Sequence, residues 1–76
     1  MKIKIISFHK ILYEENINSI IAPGFYGSFQ ILKNHAPFIS ILKNGFLKLE
    51  SENIKKEIKI EGGILQVKEN WIIVIL

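Results

Sequence analysis

The stretch Asn44-Gly45-Phe46-Leu47-Lys48-Leu49-Glu50 carries two structural signals in seven residues. Asn-Gly tolerates the positive φ angles of a type I′ turn, so it predicts a hairpin in which Phe46 to Glu50 pairs with the preceding strand, Phe38 to Leu42. Leu47 and Leu49 alternate with Lys48 and Glu50, the period of two expected where one sheet face is buried and the other is wet. The alternation recurs on both sides. Ile58 and Ile60 alternate with Lys59 and Glu61, with Ser51-Glu52-Asn53 as the intervening loop, and Ile3 and Ile5 alternate with Lys2 and Lys4 in a first strand ending near Phe8.

Working outward, short strands are predicted at Ile11 to Tyr13 and at Ile17 to Ala22, the second closed by the turn-forming pair Pro23-Gly24. Gly27 allows a second bend before Phe29 to Leu32, and Asn34 to Pro37 separates that strand from Phe38. Gly62-Gly63 marks a bend or bulge before Ile64 to Lys68, and Glu69-Asn70 turns into a last strand, Trp71 to Ile75. Roughly nine short strands at turn spacings below about twelve residues leave no room for a helix. The fold class that follows is all-β: a two-sheet β-sandwich of short, mainly antiparallel strands, one domain over residues 1–76, with no helical domain.

Composition agrees with that class. Seventeen of the 76 residues are Ile, whose branched Cβ suits a pleated surface better than a helix. A chain this short has interior for one core only, and such a core is marginal. With 49% of the residues apolar, some hydrophobic surface is expected to remain for a partner once the core is filled. There is no cysteine, so neither disulfides nor thiolate metal sites contribute. The net charge of +3 comes from ten Lys against seven Glu, with no Arg or Asp. That usage fits biased codon composition better than selection for a polyanion, where Arg dominates phosphate and guanine recognition. Met1 to Ile6 alternates and lacks the continuous apolar stretch of a signal peptide. The longest apolar run, Trp71 to Leu76, is far short of the about 20 residues that a spanning helix requires.

Candidate chemistry is sparse. His9 and His35 lie in separate loops without Cys or Asp to complete a metal set. Glu14-Glu15 are neighbours whose side chains point in different directions, which favours a solvated pair over paired catalytic carboxylates. Gly24 and Gly27 precede no helix whose N-terminus could hold a phosphate. Neither an enzyme site, a cofactor nor a metal is expected. A small nucleic-acid-binding β-barrel is the rival class for a basic, Phe-containing all-β chain, although the aromatics lack the clustered spacing of a stacking platform.

The string Pro23-Gly24-Phe25-Tyr26-Gly27-Ser28-Phe29-Gln30-Ile31-Leu32-Lys33-Asn34-His35-Ala36-Pro37-Phe38 resembles the epsilon subunit of F-type ATP synthases. That family carries a P-G-x-x-G turn, an I-L or V-L pair, and H-A-P two residues later. Gly62-Gly63-Ile64-Leu65-Gln66-Val67 is similar to its G-G-hydrophobic-x-E-V segment, and Asn70 to Leu76 to its closing strand. Departures stand at Ser28, where the family usually has an acidic residue facing the polar loops of the membrane ring of c subunits, and at Gln30, Lys33-Asn34 and Gln66. The resemblance implies a non-catalytic central-stalk subunit of a proton-driven rotary synthase, peripheral on the cytoplasmic face of a bacterial inner membrane. It implies a c-ring contact at Gly27, Ser28 and Phe29, and a gamma contact at Ser7, His35 and Ser40. Family members usually continue into a two-helix domain that inhibits ATP hydrolysis and in some bacteria binds ATP. Met1 falls at the family's usual beginning, so the expectation is a naturally short form that binds no nucleotide and does not inhibit.

Overall fold

Inward-pointing Ile, Leu and Val on alternate positions of each strand can be buried only if two sheet layers face each other. The computed structural model, which describes residues 1–8, 10–52 and 54–76, achieves this with nine strands among those residues. They are β1 Lys2–Ser7, β2 Lys10–Asn16, β3 Ser19–Gly24, β4 Gly27–Leu32, β5 Phe38–Leu42, β6 Gly45–Ser51, β7 Ile54–Ile60, β8 Gly63–Lys68 and β9 Trp71–Ile75. One layer runs β2-β1-β9-β8-β5 and the other β4-β3-β6-β7. Every pairing is antiparallel except β1 with β9, where Ile3 lies beside Ile72 and Ile5 beside Val74. The two-sheet, mainly antiparallel sandwich expected from the alternation is the fold observed. A single bridge, Gly24 to Leu42, makes the two layers one continuous curled sheet.

The core lies between the layers and contains no buried polar or charged residue among those described. Ile3, Ile5, Leu65, Val67, Ile72 and Val74 face Ile20, Ala22, Ile31, Leu47, Leu49 and Ile60 across it. Met1 is buried beside them. Its ammonium donates to the Ile17 carbonyl at 3.2 Å while the Ile17 N–H donates to the Met1 carbonyl at 2.8 Å, so the chain's start is tied to the β2–β3 connection.

Two local readings are corrected. Asn44-Gly45 is not a hairpin turn: β5 pairs with β8 and β6 pairs with β3 and β7, so the chain crosses from one layer to the other there. A β5–β6 hairpin would set Leu42 and Leu47 in the same layer, whereas the crossing lets them cover the core from opposite sides. Pro23-Gly24 also belongs to β3, opposite Ser28 and Gly27, and the turn itself is Phe25-Tyr26. The missing Pro23 N–H costs little because β3 is between partners there, past its last pairing with β6 at Ile21 and before its bridge to β5 at Gly24. Glu69-Asn70 forms the genuine type I′ hairpin, with φ of 51° and 65°. In the predicted loop Ser51-Glu52-Asn53, Ser51 belongs to β6 and pairs with Ile54; Asn53 lies outside the described residues.

Glycine is required where the layers join. A Cβ on Gly24 would stand 2.5 Å from the Gly27 carbonyl oxygen, and one on Gly63 would stand 2.4 Å from that of Ile75 at a φ of 149°. Backbone cannot yield cheaply at such distances.

The opposite seam, between edge strands β2 and β7, is held by side chains. Tyr13 faces inward opposite Ile5, the Lys56 ammonium lies 4.5 Å from its ring centre, and its hydroxyl donates to Glu15. Partial burial first, then the hydrogen bond and charge of Glu15, push the phenol up from 10.0 to about 12. Raising this pKa in the folded state adds stability that is complete below the unfolded value near 10 and is lost as pH climbs towards 12. In denaturant melts, wild type is therefore expected to lose more stability than Tyr13→Phe between pH 9.5 and 12, as flagged by a gap that closes at the alkaline end, roughly two units above the ordinary phenol. Leu65→Ala is expected to cost roughly 2–5 kcal/mol through a core cavity, and Gly63→Ala about 1–3 kcal/mol through strain and clash, both read from thermal melts followed by circular dichroism.

Candidate functional site: one apolar face and one turn end

The outward faces of the two layers differ in chemistry. On the β2-β1-β9-β8-β5 layer the register aligns Ile41, Ile64, Ile75, Ile6 and Ile11 in one row, a single isoleucine from each of five adjacent strands. Their inward neighbours Leu42, Leu65, Val74 and Ile5 fill the core, so strand alternation turns the row to the outside. Ile41, Ile64, Ile75 and Ile11 are exposed, Ile6 is half-buried, and Ile39 and Ile73 extend the apolar surface along β5 and β9. Further along, the face becomes polar: Lys4 pairs with Glu14 at 3.9 Å, and Lys2 and Lys4 lie 5.4 and 5.3 Å from the Trp71 ring centre.

The outward face of β4-β3-β6-β7 is charged along β6 and β7, whereas β3 and β4 show Ser28, Gln30, Ile21 and Leu32 to the outside. Lys48 is opposite Glu57, Glu50 is opposite Lys55, and Lys59 covers the Phe46 ring at 5.2 Å. Exposed ion pairs such as Glu50–Lys55, at 4.0 Å, contribute at most about 1 kcal/mol. Covering five partly exposed isoleucines is worth roughly 1 kcal/mol apiece. The isoleucine row is therefore a stronger docking surface than the β6–β7 charges.

The residues singled out from sequence fall in different places. Gly27 and Ser28 are exposed at the start of β4, beside the Phe25-Tyr26 turn, and Ser7 ends β1 at the same end of the sandwich. Phe29 turns inward, its ring 5.2 Å from that of Phe38; it holds the hairpin rather than facing outward. His35 is exposed in the β4–β5 connection at the far end, its ring 5.6 Å from Phe38 and its Nδ1 donating to the Ala36 carbonyl at 2.7 Å. Ser40 is half-buried on the inward side of β5, opposite Leu65, and its hydroxyl donates to the Ile41 carbonyl at 3.3 Å. Gly27 and Ser28 thus share one end with Ser7, while Ser7, His35 and Ser40 do not form one cluster. His9 lies outside the described residues.

Sequence reasoning missed the isoleucine row. Ile39 and Ile41, or Ile73 and Ile75, each show alternation along a strand, but the row runs across strands distant in sequence and exists only through register. Among the described residues no three His, Asp or Glu side chains come together to hold a metal, and no helix is long and apolar enough to cross a membrane.

An all-β body that leaves a row of isoleucines exposed on one outer face offers a surface for a partner. Residues 1–76 match the family described as ATP synthase, Delta/Epsilon chain, beta-sandwich domain, and the chain belongs to that family. It is 40% identical over 72 residues to the ATP synthase epsilon chain of Leptospira interrogans, covering 95% of this chain and 57% of that one. It is 39% identical over 70 residues to the corresponding chain of Chlorobium limicola, covering 91% and 80%. The chain thus spans little more than half the length of its Leptospira relative. Among solved structures it superposes on a chain of the Euglena gracilis mitochondrial ATP synthase with a TM-score of 0.88 at 20% identity, covering 96% of this chain and 48% of that one. A chain from the central stalk and c-ring of the Tetrahymena thermophila enzyme gives 0.81 at 17%, covering 97% and 60%. These likenesses confirm the fold.

The division into outward row and inward core makes a direct prediction. Ile64→Lys is expected to change stability by no more than about 0.5 kcal/mol, because the side chain already meets water. Leu65→Lys, one residue on, is expected to abolish cooperative unfolding by burying an unpaired charge. Urea titrations of the two variants check the contrast.

Proposed function

We propose that this chain is a non-catalytic epsilon-type subunit of an F-type ATP synthase central stalk, a stiff adaptor that couples a gamma subunit to the membrane c-ring during proton-driven ATP synthesis. Family membership over residues 1–76 and the homologous epsilon chains support the assignment. The observation that carries the mechanism is the outward isoleucine row, an apolar surface that a solitary small domain gains nothing by exposing.

Torque transfer requires a body that does not deform and two interfaces that do not overlap. A close-packed core between two sheets supplies the first. For the second, gamma packs on the face bearing Ile41, Ile64, Ile75, Ile6 and Ile11, and the ring lies under the end bearing Gly27 and Ser28. Ser7 borders both regions. His35 and Ser40 act indirectly in this arrangement, His35 by shaping the β4–β5 connection against Phe38 and Ser40 by supporting the edge strand that carries Ile39 and Ile41. The ring contact at Ser28 is a hydrogen bond rather than a salt bridge, since a hydroxyl carries no charge. The complex lies on the cytoplasmic face of a bacterial membrane, and the chain is held there by its partners.

Capture of purified gamma by the immobilised chain tests the assignment. Ile64→Lys combined with Ile75→Lys is expected to weaken capture at least about a hundredfold, in line with losing two buried aliphatic side chains and burying charge in their place. Lys48→Ala, on the charged face, is expected to leave capture unchanged. Equal capture by all three proteins would remove the isoleucine row from the gamma interface. For the ring end, Ser28→Glu is expected to keep or strengthen retention of purified c-ring. Gly27→Val is expected to weaken it: a Cβ there meets nothing within 4 Å, but the φ of 133° strains any branched residue and distorts the turn.

A further inference from the structure

Three aromatic rings stand in water at one end of the sandwich. Phe8 is 92% exposed, Phe25 60% and Tyr26 100%. Phe8 follows Ser7 in the β1–β2 turn, and Phe25 and Tyr26 form the β3–β4 turn, their rings 5.3 Å apart and nearly perpendicular. The two turns share an end because the isoleucine row connects them: Ile6, two residues before Phe8, is in register with Ile75, then Ile64, then Ile41, whose carbonyl accepts the Phe25 N–H at 2.9 Å.

Turn tips usually carry small or polar residues that help the chain reverse, and the far end follows that habit. Its connections, residues 17–18, 33–37, 52–53 and 69–70, hold no Phe, Tyr or Trp. The aromatic end also carries Lys10, which starts β2, and Lys43, whose N–H donates to the Pro23 carbonyl at 2.9 Å. Glu61 is the acidic residue in the connections there. This end therefore combines exposed rings with two lysines against one glutamate.

We infer that this end docks on the headgroup layer of an anionic phospholipid bilayer, with Phe8, Phe25 and Tyr26 entering the layer and Lys10 and Lys43 meeting lipid phosphates. The inference rests on the reading that the end bearing Gly27 and Ser28 faces the membrane ring, and it adds the lipid as a contact of its own. Aromatic side chains settle at the boundary between hydrocarbon and water, where an apolar body and a polar tip such as the Tyr26 hydroxyl are both satisfied. Lysines close to an anionic surface are drawn to it over about a Debye length. Charge also favours this partner: Lys10 and Lys43 attract lipid phosphate. The isoleucine row faces out from the side of the sandwich next to this end, so lipid and gamma would occupy adjoining surfaces. Insertion is shallow and weak by itself, and becomes effective when a protein contact already holds the end at the surface.

Co-sedimentation with vesicles tests the inference, using the 76-residue chain alone and in complex with gamma at low ionic strength. Vesicles enriched in phosphatidylglycerol are expected to bind about thirtyfold more tightly than pure phosphatidylcholine, the preference given by two lysines at the surface. Phe25→Ser combined with Tyr26→Ser is expected to lose at least about tenfold of the binding, and Lys10→Gln with Lys43→Gln to remove the anionic preference. Both double variants change exposed side chains, and retained gamma capture verifies that they fold. Absence of vesicle binding with gamma capture intact overturns the lipid inference and leaves the stalk assignment standing. Vesicle binding without gamma capture sinks the stalk assignment instead, leaving a lipid-binding end. Binding by the same aromatics to detergent-solubilised ring or to a single-stranded oligonucleotide, but not to vesicles, also overturns the lipid inference.

Discussion

The sandwich depends on two places where main chain meets main chain with no side chain between. Gly24 bridges to Leu42, the one contact by which the layers form a continuous sheet, and a Cβ on Gly24 would collide with the Gly27 carbonyl and the Phe29 ring. At Gly63 the chain returns from one layer to the other, pressed against the Ile75 carbonyl. Together with the crossing between β5 and β6, these contacts set the spacing of the layers. Once that is fixed, Leu42, Leu47, Leu65 and Val74 must meet in the core, and their strand neighbours Ile41, Ile64 and Ile75 must look outward.

That coupling links core to function. A β-strand cannot change what it buries without changing what it displays, because alternate side chains point to opposite faces. β9 is apolar throughout, and β5 is so except for Ser40, so both strands carry aliphatic residues on both sides, the pattern of strands covered on two faces. Within the isolated chain only one of those faces is covered. In the other layer β6 and β7 alternate apolar with charged residues and turn Lys and Glu outward, while β3 and β4 turn out Ser28 and Gln30 beside Ile21 and Leu32. The asymmetry locates the surplus hydrophobic surface that composition had implied and explains why one side of a small domain is built for a partner and the other for water.

Much of this was legible in the sequence. The alternation at Leu47 to Glu50 and Ile58 to Glu61 identified strands with one wet face, the boundaries of β5 and β9 matched, and the turn at Glu69-Asn70 was placed correctly. The motif from Pro23 to Phe38 pointed to the family. Asn44-Gly45 misled because turn chemistry is local while the choice of partner strand is global: the residues allow a hairpin, but core coverage favours a crossing. Pro23-Gly24 misled in the same way, as the reversal occurs at the two aromatic residues that follow. The site residues were legible only as a motif. Sequence proximity kept Gly27 and Ser28 together, whereas Ser7, His35 and Ser40 went to one end, the other end and the inner side.

Residue order alone determined the class of fold, since a period of two, frequent β-branching and closely spaced turn residues admit short strands and exclude helices. It could not determine which strands lie side by side. The row of five isoleucines, the gathering of Phe8 with Phe25 and Tyr26, and the Tyr13–Lys56 seam all join residues far apart in the chain; register across the sheet aligned the first two, and packing of one layer on the other made the third. Backbone hydrogen bonding is the same for any pair of strands, so the pairing was decided by which arrangement closes the core.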